Sequence, residues 1–203
     1  HTPLTPLPTR PSSDPPADIP QYPDGWITPD PERVKYWKEK LDELGDKPKV
    51  GLVWRSGMRS ATRNIGYTDI LEWADVLKHD NVTFVCIQYD DCSEELDRLK
   101  QETGVEMYVP EGLDQKNDID DSCALLKALD LVIGPSTTPA MMANAVGTPV
   151  WWLLRGTPWW FFGEKGHTPI SPRGKTYQIE REGEWSTAIS EIAGDIGQFK
   201  SSQ

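Results

Sequence analysis

The chain is poor in cysteine, histidine and positive charge. Its three cysteines, Cys86, Cys92 and Cys123, are odd in number and form no CxxC pair or His/Cys cluster. That argues against a disulfide framework or a zinc site and favours a reducing, cytoplasmic setting. Lys plus Arg number 21 against 32 Asp plus Glu, a net charge of −11 over 203 residues. Such a field does not attract nucleic acid or an anionic membrane. No apolar run reaches the roughly 18 residues a membrane-spanning helix needs. The start lacks the apolar stretch of a signal peptide. Neither GxGxxG nor GxxxxGK[ST] occurs, so the dinucleotide and P-loop fingerprints are missing. No local signature assembles a Ser/His/Asp triad, and no internal repeat is seen.

Proline and tryptophan are plentiful. Ten of the 18 prolines precede Val34, and residues 1–29 read as a Pro-rich linker of extended character. Near its end, Ile19, Tyr22 and Trp26 are candidates to lie on a domain surface. The missing initial Met and the Pro-rich start lead us to expect a domain cut from a longer protein, with His1 a remnant of the cut. The domain proper is expected over 30–203. Asp30 and Pro31 start a leading helix over 30–45, which presents Val34, Trp37 and Leu41 on one face and stops at Gly45.

From Lys49 the chain alternates. Strands are expected at 49–54, 82–88, 105–109, 130–134 and 149–154, with a further short one at 176–180. Helices are expected at 69–79, 93–103, 121–129 and 137–146, and a closing helix at 186–199. Short apolar strands each followed by a helix imply right-handed βαβ crossovers and a parallel sheet covered on both faces. The expected fold is a Rossmann-like three-layer α/β/α arrangement with strand order 3-2-1-4-5.

In such a sheet, ligands bind beyond the strand carboxyl ends where the order reverses. Here that is between the first and fourth strands. Arg55, Ser56 and Gly57 leave the first strand, with Arg59 and Arg63 close behind. Arg offers a planar fork suited to phosphate oxygens. Gly134 and Pro135 leave the fourth strand, followed by Ser136, Thr137 and Thr138. Ser136 is expected to cap a helix that starts at Thr137, whose free amides and dipole favour an anion. A plain capped helix explains the same pattern. Asp118, Asp120 and Asp121 resemble a metal-binding carboxylate group, but their place before an apolar helical run favours a helix-capping role. No metal is expected. Most of the nine tryptophans suit core packing, whereas Trp159 and Trp160 in a late aromatic loop also suit a ligand wall or a partner contact.

Several segments, in order, resemble the C-terminal half of GT-B fold glycosyltransferases, in particular the heptosyltransferase-like domains that follow tetratricopeptide repeats in bacterial proteins. They are KVGLVWRSG, FVCIQYD, DIDDSCALLKALDLVIGPSTTPAMMANAVGTPVWWLL and a late GEW. The resemblance implies a nucleotide-sugar donor domain of a glycosyltransferase acting on a protein or surface glycan, without metal or other cofactor. Ser136, Thr137 and Thr138 would hold the phosphates. Arg55, Ser56 and Arg59 would approach from the first strand, and Gln88 with its neighbours would line the nucleoside. An N-terminal domain of the same protein, with tetratricopeptide repeats as in the family, would carry the acceptor site and the catalytic base, so this fragment alone would be inactive. The pattern departs from the family at Ser136, where Asp is usual, and at Ala140 and Met141, where His is usual. These departures favour the alternative of a non-catalytic binding or scaffolding domain. A flavodoxin-like nucleotide-binding regulator is a third reading, opposed by the long loop after the first strand.

Overall fold

A computed structural model describes residues 22, 24–57, 67–156, 158, 160, 170–179 and 185–200. Its elements in chain order are α1 (Pro31–Asp42), β1 (Lys49–Leu52), a 3-10 turn (Ile70–Trp73) running into α2 (Ala74–Leu77), β2 (Thr83–Cys86), α3 (Ser93–Thr103), α4 (Ile119–Ala128), β3 (Leu131–Gly134), α5 (Thr138–Ala145), β4 (Val150–Arg155), β5 (Lys175–Ile179) and α6 (Trp185–Ile196).

The five strands form one sheet of order β2-β1-β3-β4-β5, and every pairing is parallel. The expected order holds, with two adjustments at the edges. The third expected strand, 105–109, is reduced to a single bridge between Tyr108 and Val85. Two backbone bonds make it: Tyr108 N–H to Phe84 O, and Cys86 N–H to Tyr108 O. Val109 beside it is exposed, so no second face holds a longer strand in place. At the other edge, the short run expected at 176–180 is a full strand, paired with β4 over five positions.

Alternation along the strands divides the core into two layers. Val50, Leu52, Leu131 and Ile133 face Trp73 from the turn before α2, Leu99 from α3, and Ile189 and Ile192 from α6. Val53, Val85 and Val132 face Trp37, Leu125 and Ala143 from α1, α4 and α5. Gly134 is required where β3 ends: a Cβ there would lie 2.5 Å from the Val53 carbonyl oxygen. This close approach brings the ends of β1 and β3 together, which is where the sheet order reverses.

The stretch expected as linker is docked at its end. Trp26 and Ile27 both donate their amides to Ala145 O, at 2.8 and 2.9 Å. Gly25 and Gly147, both at positive φ, meet face to face, and a side chain on either would strike the other's backbone. Residues 24–29 therefore belong to the folded body, while Tyr22 and Trp26 stay about half exposed. Residues 1–21 and Pro23 lie outside the described residues. Among the described residues, no helix is long and apolar enough to cross a membrane.

Candidate functional site

The N-terminal ends of α4 and α5 lie beside each other at the carboxyl edge of the sheet, and they are built differently. At α4, Asp118 accepts from the Asp121 amide at 3.0 Å and caps the helix. The Asp121 carboxylate is buried and faces α1. It accepts from Arg33 Nε and Nη2 at 2.7 and 2.6 Å, and from Trp37 Nε1 at 2.8 Å. Burial alone would raise its pKa, but these bonds outweigh it and hold the carboxyl below its ordinary value. The acidic run thus caps one helix and ties down another.

At α5 the cap differs from expectation. Thr137, not Ser136, is the N-cap, and no side chain caps the helix. The Thr137 amide turns back to Pro135 O at 2.7 Å, and its hydroxyl does the same at 3.4 Å. That tight turn displaces the helix start by one residue, to Thr138. Pro139 takes the second helical position, where a missing N–H costs nothing. The amides of Thr138 and Ala140 are left without partners among the described residues, and no acidic residue occupies the first turn. Ser136 and Thr138 are exposed, whereas Thr137 is buried.

A cavity of about 170 Å³ adjoins this helix start. Ile119, Ser122, Leu125 and Leu126 of α4 form one wall, Thr138, Pro139 and Met142 of α5 the other, and Tyr89, Gln115 and Lys116 the rim. A 150 Å³ apolar cavity is enough to hold benzene, so an aromatic ring system fits. Within this mostly apolar lining the Ser122 hydroxyl is buried and has no hydrogen-bond partner. Buried polar groups are rarely left unpaired, and those that are need a reason. Sequence reasoning missed the α4 wall. The only signal there was a Ser amid the apolar positions of a helix.

The other expected residues are arranged as follows. Arg55, expected to present its fork to a phosphate, is only 6% exposed and is engaged by carboxylates. Its Nη1 donates to Asp90 at 2.6 Å, its Nε donates to both Glu95 oxygens at 2.9 Å, and its Nη2 also bonds Glu95. Burial opposes the charge, but the bonds to Glu95 and Asp90 outweigh it and raise the guanidinium pKa. As placed, Arg55 organises the site rather than opening onto it. Gln88 joins the same network, donating to Arg55 O at 3.0 Å and to Asp90 Oδ1 at 2.7 Å, while its own Oε1 is buried without a partner. Tyr89 Oη accepts from the Gly57 amide at 2.6 Å and lies 3.0 Å from Ser56 Oγ. Gly57 permits this because a Cβ would come within 2.9 Å of the Tyr89 ring. The loops after β1 and β2 are thus bonded into one wall, and Tyr89 extends it to the cavity. Arg59, Arg63 and Trp159 lie outside the described residues. Trp160 packs inward against Trp152, with ring centroids 5.2 Å apart, so core packing accounts for it.

The fold has solved counterparts. A glycosyl transferase family 9 protein from Veillonella parvula superposes with a TM-score of 0.60 at 14% identity, over 86% of this chain and 54% of that one. The E. coli ADP-heptose lps heptosyltransferase II gives 0.53 at 13% identity, over 83% of this chain and 53% of that one. The chain therefore has the Rossmann-like architecture found in GT-B glycosyltransferases, and it corresponds to about half of each. Among curated proteins, Protein FlbA of Caulobacter vibrioides is 38% identical over 192 residues, 95% of this chain. The chain spans about a third of that relative, 32% of its length. No family model matches.

Proposed function

We propose that this domain binds a nucleotide-activated sugar and is the donor half of a glycosyltransferase. The observation that carries the reading is the cavity between α4 and α5, which adjoins an uncapped helix start at the point where the sheet order reverses. The cavity suits a nucleobase, and the Thr138 and Ala140 amides suit a phosphate. As the glycosidic bond breaks, negative charge grows on the leaving phosphate, and a helix start stabilises it there. The likeness to two glycosyltransferase structures supports the fold side of the reading.

The remaining elements follow from the same proposal. Arg59 and Arg63 would supply further positive charge, and the donor itself is the only small molecule required. The catalytic base and the acceptor, a protein or a surface glycan, would come with a second domain carrying tetratricopeptide repeats. The setting would be the bacterial cytoplasm, and the fragment alone would not turn over. A second reading, binding or scaffolding without transfer, is favoured by Ser136 and Met141 and by the engagement of Arg55 with Asp90 and Glu95.

Calorimetric titration with nucleoside mono- and diphosphates tests the proposal. Saturable binding is expected, weakened about tenfold in Thr138→Asp, whose carboxylate repels a phosphate at the helix start. No saturable binding by the whole panel would remove the donor reading. Binding by the full-length protein without consumption of any sugar nucleotide would favour the second reading.

A further inference from the structure

Cys86 and Cys92 take no part in the site described above, yet their sulfurs lie 3.7 Å apart. Cys86 ends β2 and is 1% exposed; Cys92 precedes α3 and is 8% exposed. A disulfide requires about 2.05 Å, so the sulfurs need only approach by roughly 1.7 Å. Cys92 also borders a solvent-open cavity, together with Asp69, Ser93 and Arg98, which gives a small reagent access. The Cys86 thiol accepts from Cys92 and from the Gln88 amide and ionises more readily than an ordinary thiol. The same bond and burial hold the Cys92 proton in place. The pair therefore gives up one proton easily and shares the other. Cys123, in the opposite core layer, has no such neighbour among the described residues.

We propose that Cys86 and Cys92 form a reversible dithiol/disulfide site whose oxidant is a low-molecular-weight disulfide of the glutathione type. Once the pair has lost one proton, the Cys92 proton passes to the Cys86 sulfur along their shared S–H···S contact as the Cys92 sulfur attacks RSSR at the cavity, forming Cys92–SR and releasing one RS⁻. The Cys86 sulfur then displaces the second RS⁻ and closes the Cys86–Cys92 bond. Two thiols lose two protons and two electrons, and one RSSR becomes two RSH. The bond closes a loop over residues 87–91. This loop carries Gln88 and Asp90, which hold Arg55, and Tyr89, which holds Gly57 and borders the ligand cavity. Oxidation therefore stiffens the wall of the candidate site. The redox site stands on its own geometry; its effect on a nucleotide rests on the proposed function.

The test equilibrates the chain in glutathione buffers of increasing oxidised fraction, followed by acid quench, alkylation and tryptic mass spectrometry. The fragment 79–98 carries both thiols. It is expected to lose about 2 Da and to take up no label, reversibly with dithiothreitol, while Cys123 stays labelled. Amide exchange over 87–91 slows in the oxidised form, and Cys92→Ser abolishes both effects. ADP, UDP and CMP affinities measured in the two redox states differ about fivefold or more for whichever binds, the low end of measured site couplings. Two labelled thiols in fragment 79–98 at the most oxidising ratio, or equal oxidation of Cys123, overturns the redox site. A disulfide that leaves exchange over 87–91 unchanged overturns its link to the loop. Absence of nucleotide binding in both states counts against the donor reading alone, and the exchange result then decides this proposal.

Discussion

Two helix starts stand side by side at the carboxyl edge of the sheet, and one is closed while the other is open. The α4 start has a capping carboxylate, acidic residues in its first turn and an ion pair from the buried Asp121 to the exposed Arg33 of α1. The α5 start has a proline, no side-chain cap and no acidic residue. Both have the same dipole and the same unpaired amides by construction. The difference shows that the chain satisfies one helix start from within and leaves the other without a side-chain cap. The cavity with its unpaired Ser122 hydroxyl lies on the open side.

The largest effect is expected from breaking the closed side. Asp121→Ala leaves the Trp37 indole N–H buried without its acceptor, at a cost of about 2 kcal/mol, measured by urea unfolding; the exposed Arg33 guanidinium turns to water. Nucleotide affinity at the open side should hardly change while the variant is folded. Filling the open side should do the reverse. Thr138→Asp places a carboxylate on exposed α5 backbone, stabilises the helix by about 0.5 kcal/mol and lowers nucleotide affinity about tenfold by repelling phosphate. A gain in stability with unchanged affinity would separate α5 from the ligand.

The pH dependence sharpens the contrast. Asp121 has a folded pKa below its unfolded one, so its contribution is fully present above the unfolded value near 4 and is lost as pH falls through the folded value. Unfolding free energy measured between pH 2 and 6 should fall on acidification, and less steeply in Asp121→Asn. The smallest effect on stability is expected from Ser122→Ala, within about 0.5 kcal/mol, because the hydroxyl has no partner to lose. Its effect on binding discriminates. A threefold or larger loss of nucleotide affinity, about 0.7 kcal/mol, identifies the hydroxyl as a ligand contact.

Much of the scaffold was legible in the residues. The alternation of KVGLVW, VTFVCIQ and DLVIG with helical runs carried the parallel sheet and its order, because βαβ units have one hand. Asp118 was legible as a cap because it precedes an apolar helical run. The site was read less well. Ser136 has the chemistry of an N-cap, but the Pro135–Thr137 turn moved the helix start past it. Arg55 has the chemistry of a phosphate clamp, but Asp90 and Glu95, 35 and 40 residues further on, reach it first.

The sequence by itself determined the sheet and its order, since these follow from apolar periodicity and the handedness of crossovers. Only the tertiary structure decided which helix start is closed, which arginine is engaged and which serine is unpaired. Those outcomes depend on charges and hydroxyls far apart in the chain competing for the same few partners, and packing settles that competition.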